Sequence, residues 1–214
     1  MSIHIFWDNS NVWGGLSQLR LANEPTVPWF ALRVYFKNIY ELVSKGRLAE
    51  TKIMAGSVPP ECEELWDCAR ILGFQTDLLK RVDSSQDVKC EQAVDEILHM
   101  KMANAILDYE GDQTMILLSG DSSLSTYDTS FPSQLQRALK KGWKVEVYSA
   151  SSCISKQKYK KLIDEYPRQI ELIDIDPYYF SLTYVREGEY YHKDSQGNRT
   201  YFHVNARIVS ALRV

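Results

Sequence analysis

Two short apolar runs in this chain each end in an aspartate. Ile3-His4-Ile5-Phe6-Trp7 leads into Asp8 and then Asn9-Ser10-Asn11, and Thr114-Met115-Ile116-Leu117-Leu118 leads into Ser119-Gly120-Asp121. Runs of this length and composition read as buried strands. In an open α/β sheet, ligands sit outside the carboxyl ends of the strands, so both aspartates fall where a site would form. Asp8 is equally readable as an N-cap or turn residue, a common use of Asp after a strand. A third acidic pair, Asp95-Glu96, lies in a helical stretch ahead of the second run. There Val94, Ile97 and Leu98 mark the buried stripe, and Glu91 and His99 stand four residues from Asp95 on its face. Taken alone, Asp95 fits an ordinary solvated helix face better. Gathered together, carboxylates without His or Cys form a hard oxygen donor set suited to Mg²⁺ or Mn²⁺.

Elements that could position these residues follow from the periodicity. After Asn11, Trp13-Gly14-Gly15 opens a polar loop that lasts to Pro28, where Trp29, Leu32, Tyr35, Phe36, Ile39, Tyr40 and Val43 recur at helical spacing until Gly46. Thr51 to Val58 reads as a strand, Pro59-Pro60 with Glu61, Glu63 and Glu64 opens a helix ending at Gly73, and Phe74 to Val82 alternates as a further strand. A long helix is expected from about Lys89 to Leu107, then helices over 131–141 and 155–165 with strands over 143–148 and 169–173. Strands alternating with helices predict an α/β protein with a central, mainly parallel sheet covered on both faces. From Asp176 the pattern changes, and 184–192 and 199–204, joined by a polar turn containing Gly197, predict a C-terminal β-hairpin. The expected division is a main domain over 1–174 and a hairpin extension over 175–214.

Composition narrows the class without naming a function. A chain of 214 residues, 44% hydrophobic, is sized for one substantial core. Its formal charge of −3 neither favours nor excludes a polyanion, which needs only a local basic surface. Cys62, Cys68, Cys90 and Cys153 show neither C-x-x-C spacing nor zinc-finger partners, so reduced, mostly buried thiols are expected. The N-terminus carries no basic-then-apolar leader and no run approaches a membrane span, so an intracellular protein, cytoplasmic or nuclear, is expected.

Three segments together resemble a family, the NYN domains of the PIN-like nuclease group. Phe6-Trp7-Asp8-Asn9-Ser10-Asn11-Val12 looks like its opening strand, Lys89 through Asp95 and Glu96 like its Lys-then-acidic helix, and Leu117-Leu118-Ser119-Gly120-Asp121-Ser122 like its strand ending in Ser-Gly-Asp. Gly142-Trp143-Lys144-Val145-Glu146-Val147 is similar to the strand that follows, so the resemblance covers roughly residues 2 to 150. It implies a PIN-like three-layer fold and a metal-dependent endoribonuclease. Asp8, Asp95 and Asp121 would hold Mg²⁺ or Mn²⁺, Glu96 would assist, and Asn11 would orient the first carboxylate or a water. Ser119 and Ser122 would lie along the substrate. One position departs from the pattern: Ser123 stands where the family commonly has a further acid, and Leu124-Ser125-Thr126-Tyr127-Asp128 follows like an insertion. A hydroxyl brings no charge to a metal, so the departure weakens the expected site unless Asp128 or Glu96 substitutes.

Charge distribution supplies the expected partner. From Arg137 to Arg168, nine basic residues, Lys140, Lys141, Lys144 and Lys158 among them, face three acidic ones, a local +6 that leaves about −9 for the rest. Such asymmetry is the footprint of phosphate-backbone contact, and equally of a solvated Lys-rich helix face. In the hairpin, Tyr184, Tyr190, Tyr191, His192, Tyr201, Phe202 and His203 suit stacking of single-stranded bases. A face packed on the core, or a homodimer seam, fits them better. The leading expectation is therefore an enzyme cutting single-stranded RNA. Its rival is a degenerate nuclease fold that binds RNA or protein without cleaving, favoured by Ser123. A haloacid-dehalogenase-type phosphotransferase would need an Asp at position 10, where this chain has Ser10.

Overall fold

The computed structural model describes residues 2–58, 63–80, 82–83, 89–90, 94–121, 129–193 and 196–213. In chain order the elements are β1 (Ser2–Asp8), α1 (Asn9–Asn23), β2 (Leu32–Val34), α2 (Phe36–Ser44), β3 (Ala49–Val58), α3 (Glu63–Ile71), β4 (Gln75–Lys80), β5 (Val82–Asp83), β6 (Lys89–Cys90), α4 (Val94–Asp108), β7 (Gln113–Leu118), α5 (Phe131–Lys140), β8 (Lys144–Ser149), α6 (Lys156–Glu165), β9 (Ile170–Asp174), α7 (Tyr179–Leu182), β10 (Thr183–Val185), β11 (Gly188–Lys193) and β12 (Arg199–Val204).

Six strands form one parallel sheet in the order β4-β3-β1-β7-β8-β9. The chain steps outward from β1 through β3 to β4, then crosses back to β7 and steps outward the other way. Strand order thus reverses between β1 and β7. Alternation along the strands feeds two cores, because successive side chains point to opposite faces. Ile3, Ile5, Trp7, Ile116, Leu118 and Tyr148 pack against α1, α2 and α3, while Phe6, Met115, Leu117, Val145 and Val147 pack against α4, α5 and α6. The expected helix-covered, central parallel sheet and C-terminal hairpin, β11 paired antiparallel with β12, are both present.

Several expected elements differ, each for a tertiary reason. The loop expected after Gly15 is the body of α1. Gly15 is not a breaker there but a point of close approach, since a Cβ would lie 2.8 Å from Ala150 Cβ and 3.2 Å from Cys153 Sγ. The helix expected from Pro28 begins only at Phe36, and Leu32–Val34 instead pairs with Thr183–Val185 as an antiparallel ribbon. A partner so distant in sequence leaves no trace in local spacing. Lys89 lies in β6, paired with β5, and not in the helix, which starts at Val94.

The segment after Asp174 is built into the main core rather than hung from it. Ile175, Tyr179, Leu182, Val185 and Val204 join the cluster that holds Trp7 and Phe36. Arg207 donates to both Glu24 oxygens, at 2.7 and 2.9 Å, and to the Thr183 carbonyl at 2.8 Å. Tyr179 adds a hydroxyl donated to Glu24 at 2.8 Å. Among the described cysteines, Cys68 is exposed and Cys153 half-buried, so the expected burial of thiols does not extend to Cys68.

Candidate active site

Asp8 ends β1 and is at once the N-cap of α1, so the two readings of this residue coincide. Its Oδ1 accepts the Asn11 backbone N–H at 3.0 Å, the usual way a capping carboxylate satisfies an orphan donor of the first turn. Its Oδ2 accepts the Ser119 hydroxyl at 3.1 Å, and the same Ser119 oxygen accepts the Asp121 backbone N–H at 3.1 Å. Asn11 closes a second link, its Oδ1 accepting the Gly120 N–H at 2.6 Å. The carboxyl ends of β1 and β7 are thereby clipped together where the strand order reverses, the crevice in which open α/β sheets bind ligands.

This clip also requires Gly120. A Cβ there would fall 2.5 Å from Ser149 Oγ and 2.6 Å from the Cys153 carbonyl oxygen, inside any tolerable contact. Beyond it, Tyr159 of α6 donates its hydroxyl to the Asp121 carbonyl at 3.1 Å. Burial, with the Asp121 charge behind it, pushes the Tyr159 phenol far above its ordinary range and keeps it a neutral donor. Spacing gave no sign of Tyr159, because it is fixed by a contact between two crossovers.

Each expected site residue among the described ones has a definite place. Asp8 is buried, 5% exposed, and Asp121 is half-buried beside it. Asn11 bonds the Asp8 carboxylate through its backbone N–H and holds the Gly120 N–H through its side chain. Ser119 is fully buried and engaged on both sides, so it lies beneath the site and not along a substrate. Asp95 and Glu96 occupy the first turn of α4, Asp95 half-buried and Glu96 exposed. That helix packs against β1 and β3. A crossover helix antiparallel to its strands begins at their carboxyl edge, the edge of Asp8 and Asp121. Ser122, Ser123 and Asp128 lie outside the described residues.

The lysines divide between the two edges of the sheet. Lys140 and Lys141 end α5, and Lys144 opens β8 opposite Thr114, at the amino edge. Four strand steps, roughly 13 Å, separate that level from Leu118. Lys141 is also committed there, donating to the Ile106 carbonyl and pairing with Glu110 at 3.1 Å. These three are therefore not substrate contacts for a site at the carboxyl edge. Lys156 and Lys158 are exposed on the first turn of α6, on the same helix as Tyr159 and at the correct edge.

Two orphaned groups adjoin the acidic residues. Asn9 Oδ1, next to Asp8, is buried with no hydrogen-bond partner, and both ring nitrogens of His99 are likewise buried and unpartnered among the described residues. His99 stands edge-on to Phe131, ring centres 4.5 Å apart. Burial lowers its basicity below the ordinary value, while the charges of Glu96 and Asp121 oppose that shift.

As a donor set, Asp8 and Asp121 are two hard carboxylates, with the unpaired Asn9 oxygen adjoining Asp8. Mg²⁺ is commonly held by one or two carboxylates together with waters and substrate phosphate, which this set can provide. The expected cage of Asp8, Asp95 and Asp121 is not assembled: among the described residues, no three His, Cys, Asp or Glu side chains form a group that could hold a metal ion.

No protein-family model matches the chain, and no curated protein matches it. A similar solved structure is a protein of unknown function from Vibrio parahaemolyticus. It is 18% identical, with a TM-score of 0.56, over 82% of this chain and 94% of that one. At that identity the likeness concerns the fold. No helix among the described residues is long and apolar enough to cross a membrane.

Proposed function

We propose that this chain is a divalent-metal-dependent endoribonuclease of the NYN, PIN-like type, acting at the carboxyl ends of β1 and β7. The observation that carries the reading is the Ser119 clip, which joins the Asp8 carboxylate to the Asp121 backbone across the point of strand reversal. Asp8 and Asp121 are the residues that would hold Mg²⁺ or Mn²⁺. Such an ion, when bound, lowers the pKa of its water and offsets charge on the phosphoryl group in an in-line displacement.

The chain's own residues supply the rest. Asn11 and Ser119 fix the two strand ends, so the carboxylates meet a substrate in a prepared arrangement rather than by reorganising. Tyr159 anchors the backbone of Asp121 as a neutral donor. Asp95 and Glu96 add negative potential from α4, and Lys156 and Lys158 are positioned to meet phosphates that approach the carboxyl edge. A second reading, a nuclease scaffold that binds RNA without cutting it, is favoured by the unassembled three-carboxylate cage and by Ser123.

The test is cleavage of a labelled single-stranded RNA under a Mn²⁺ titration. Asp8→Asn preserves the cap, since Asn also accepts from the helix N–H groups, and removes the charge. Turnover should fall at least 100-fold with RNA affinity within about twofold of wild type. Ser123→Asp should lower the Mn²⁺ concentration for half-maximal cleavage. If only Ser123→Asp cuts RNA, the natural protein is the binding module. If wild type and Ser123→Asp are both inert over several RNAs and metals, the catalytic reading fails.

A further inference from the structure

The hairpin of β11 and β12 divides its side chains between two faces. Tyr190 and Phe202, opposite each other in register, turn inward onto Phe30, with ring centres 5.2 and 6.1 Å from it. On the outward face, Tyr191 and Tyr201 form the next cross-strand pair, 5.8 Å apart, and Lys193 faces Arg199 one pair nearer the turn on that side. Tyr201 is 63% exposed and Tyr191 45%. The Arg199 guanidinium lies 4.7 Å from the centre of the Tyr191 ring. At the far end, His203 bridges Glu189 at 2.8 Å and Glu187 at 3.5 Å, which holds these two carboxylates together away from Lys193 and Arg199.

We infer that this outward face is a stacking platform for single-stranded nucleic acid, a reading that rests on the RNA substrate proposed above and assigns it a second contact surface. The Tyr201 ring, and the face of Tyr191 that Arg199 does not cover, present π-surfaces on which a base can stack, and base–aromatic stacking is tolerant of sequence. Arg199 caps one face of the Tyr191 ring and Lys193 stands across from Arg199 in register, placing two cations at the edge of the platform, where the phosphates of a stacked strand run. The inward aromatic packing on Phe30 holds the ribbon against the body of the protein, so the rings are presented by a supported surface. A second copy of the chain is a poorer occupant. Two strands of six residues span about 20 by 10 Å, roughly 200 Å², against about 800 Å² per partner in a standard protein interface.

The experiment measures anisotropy of a labelled 12-nucleotide single-stranded RNA, and of a matched abasic oligomer, in EDTA so that no cleavage intervenes. Tyr201→Thr and Tyr191→Thr keep strand propensity while removing the rings, and Tyr201→Trp restores a ring. Each Thr variant should weaken binding of the base-bearing RNA at least about fivefold, leave the abasic oligomer unchanged, and regain affinity with Trp. Wild-type affinity in both Thr variants would overturn the platform, and if wild type still cuts RNA with Mn²⁺, the nuclease reading survives that failure. Ring-dependent binding by a protein that cuts nothing would support the platform and remove the nuclease reading. Sedimentation showing a wild-type dimer that Tyr201→Thr splits, with RNA affinity unaltered, would assign the face to self-association and overturn the proposal.

Discussion

At the scale of single residues, Ser119 matters more than its small hydroxyl suggests. It gives its proton to Asp8 and receives the Asp121 N–H, with no exposure to water. Ser119→Ala therefore removes at once the hydrogen bond to the buried Asp8 carboxylate and the one from the Asp121 N–H. We expect a loss of about 2 kcal/mol in a denaturant titration. An accompanying rise in the metal concentration needed for cleavage would follow from the loosened clip. A midpoint equal to wild type would mean that the hydroxyl does not bridge the two strands. Gly120 belongs with it, because the approach of Ser149 and Cys153 leaves no room for a side chain.

At the scale of elements, direction along the sheet sorts charges that the sequence groups together. The basic stretch from Arg137 to Arg168 is contiguous in sequence, yet α5 delivers its lysines to the amino edge and α6 begins at the carboxyl edge. Counterion release makes each lost phosphate contact visible as a change in the salt dependence of binding. Lys156→Ala with Lys158→Ala should weaken RNA binding and reduce the slope of log affinity against log salt by ~1.4, two single-strand contacts. Lys140→Ala with Lys144→Ala should change neither quantity. The reverse pattern, measured by anisotropy over a salt series, would move the RNA path to the opposite edge.

At the scale of the whole molecule, the response to acid follows from where titrating groups are buried. His4 lies in β1 between Tyr109 and Trp143, ring centres 4.4 and 4.9 Å away, and touches Thr51 and Gln113. Burial lowers its basicity despite the Gln113 bond and the nearby Glu50 charge, and His99 is lowered in the same direction. Both gain protons more readily unfolded, so their stabilising effect is complete above about pH 6.5 and is lost as pH falls from there through their lowered folded-state values. Glu146 comes later. Burial pushes its carboxyl up, but bonds from Arg47 at 2.5 and 2.9 Å and from Tyr148 at 2.8 Å more than offset that, leaving it below its ordinary value of 4.5. Its contribution is present above that value and lost below it. Thermal unfolding should therefore show stability falling in two stages on acidification, with Glu146→Gln flattening only the second. A second stage unchanged in that variant would assign it to other carboxylates.

Local sequence determined the strand-then-carboxylate runs at Asp8 and Asp121, the later helix and strand alternation, and the hairpin around Gly197, because each depends on the periodicity of neighbouring residues and on turn chemistry. Strand alternation also foretold burial on both faces of the sheet, since Ile3, Ile5 and Trp7 point one way and Phe6 the other. Only the tertiary structure decided that Gly14-Gly15 lies inside a helix. The neighbours that require Gly15 to be small, Ala150 and Cys153, arrive from the far half of the chain. The pairing of Leu32–Val34 with Thr183–Val185 is of the same kind, a strand made by a partner that no local window contains. So is the site itself: Asp8 and Asp121 are recognisable one at a time. That Ser119 and Asn11 tie their strands, that Tyr159 anchors one of them, and that Lys144 faces the wrong edge are consequences of strand order and helix direction. Those are properties of the assembled sheet, and spacing along the chain does not carry them.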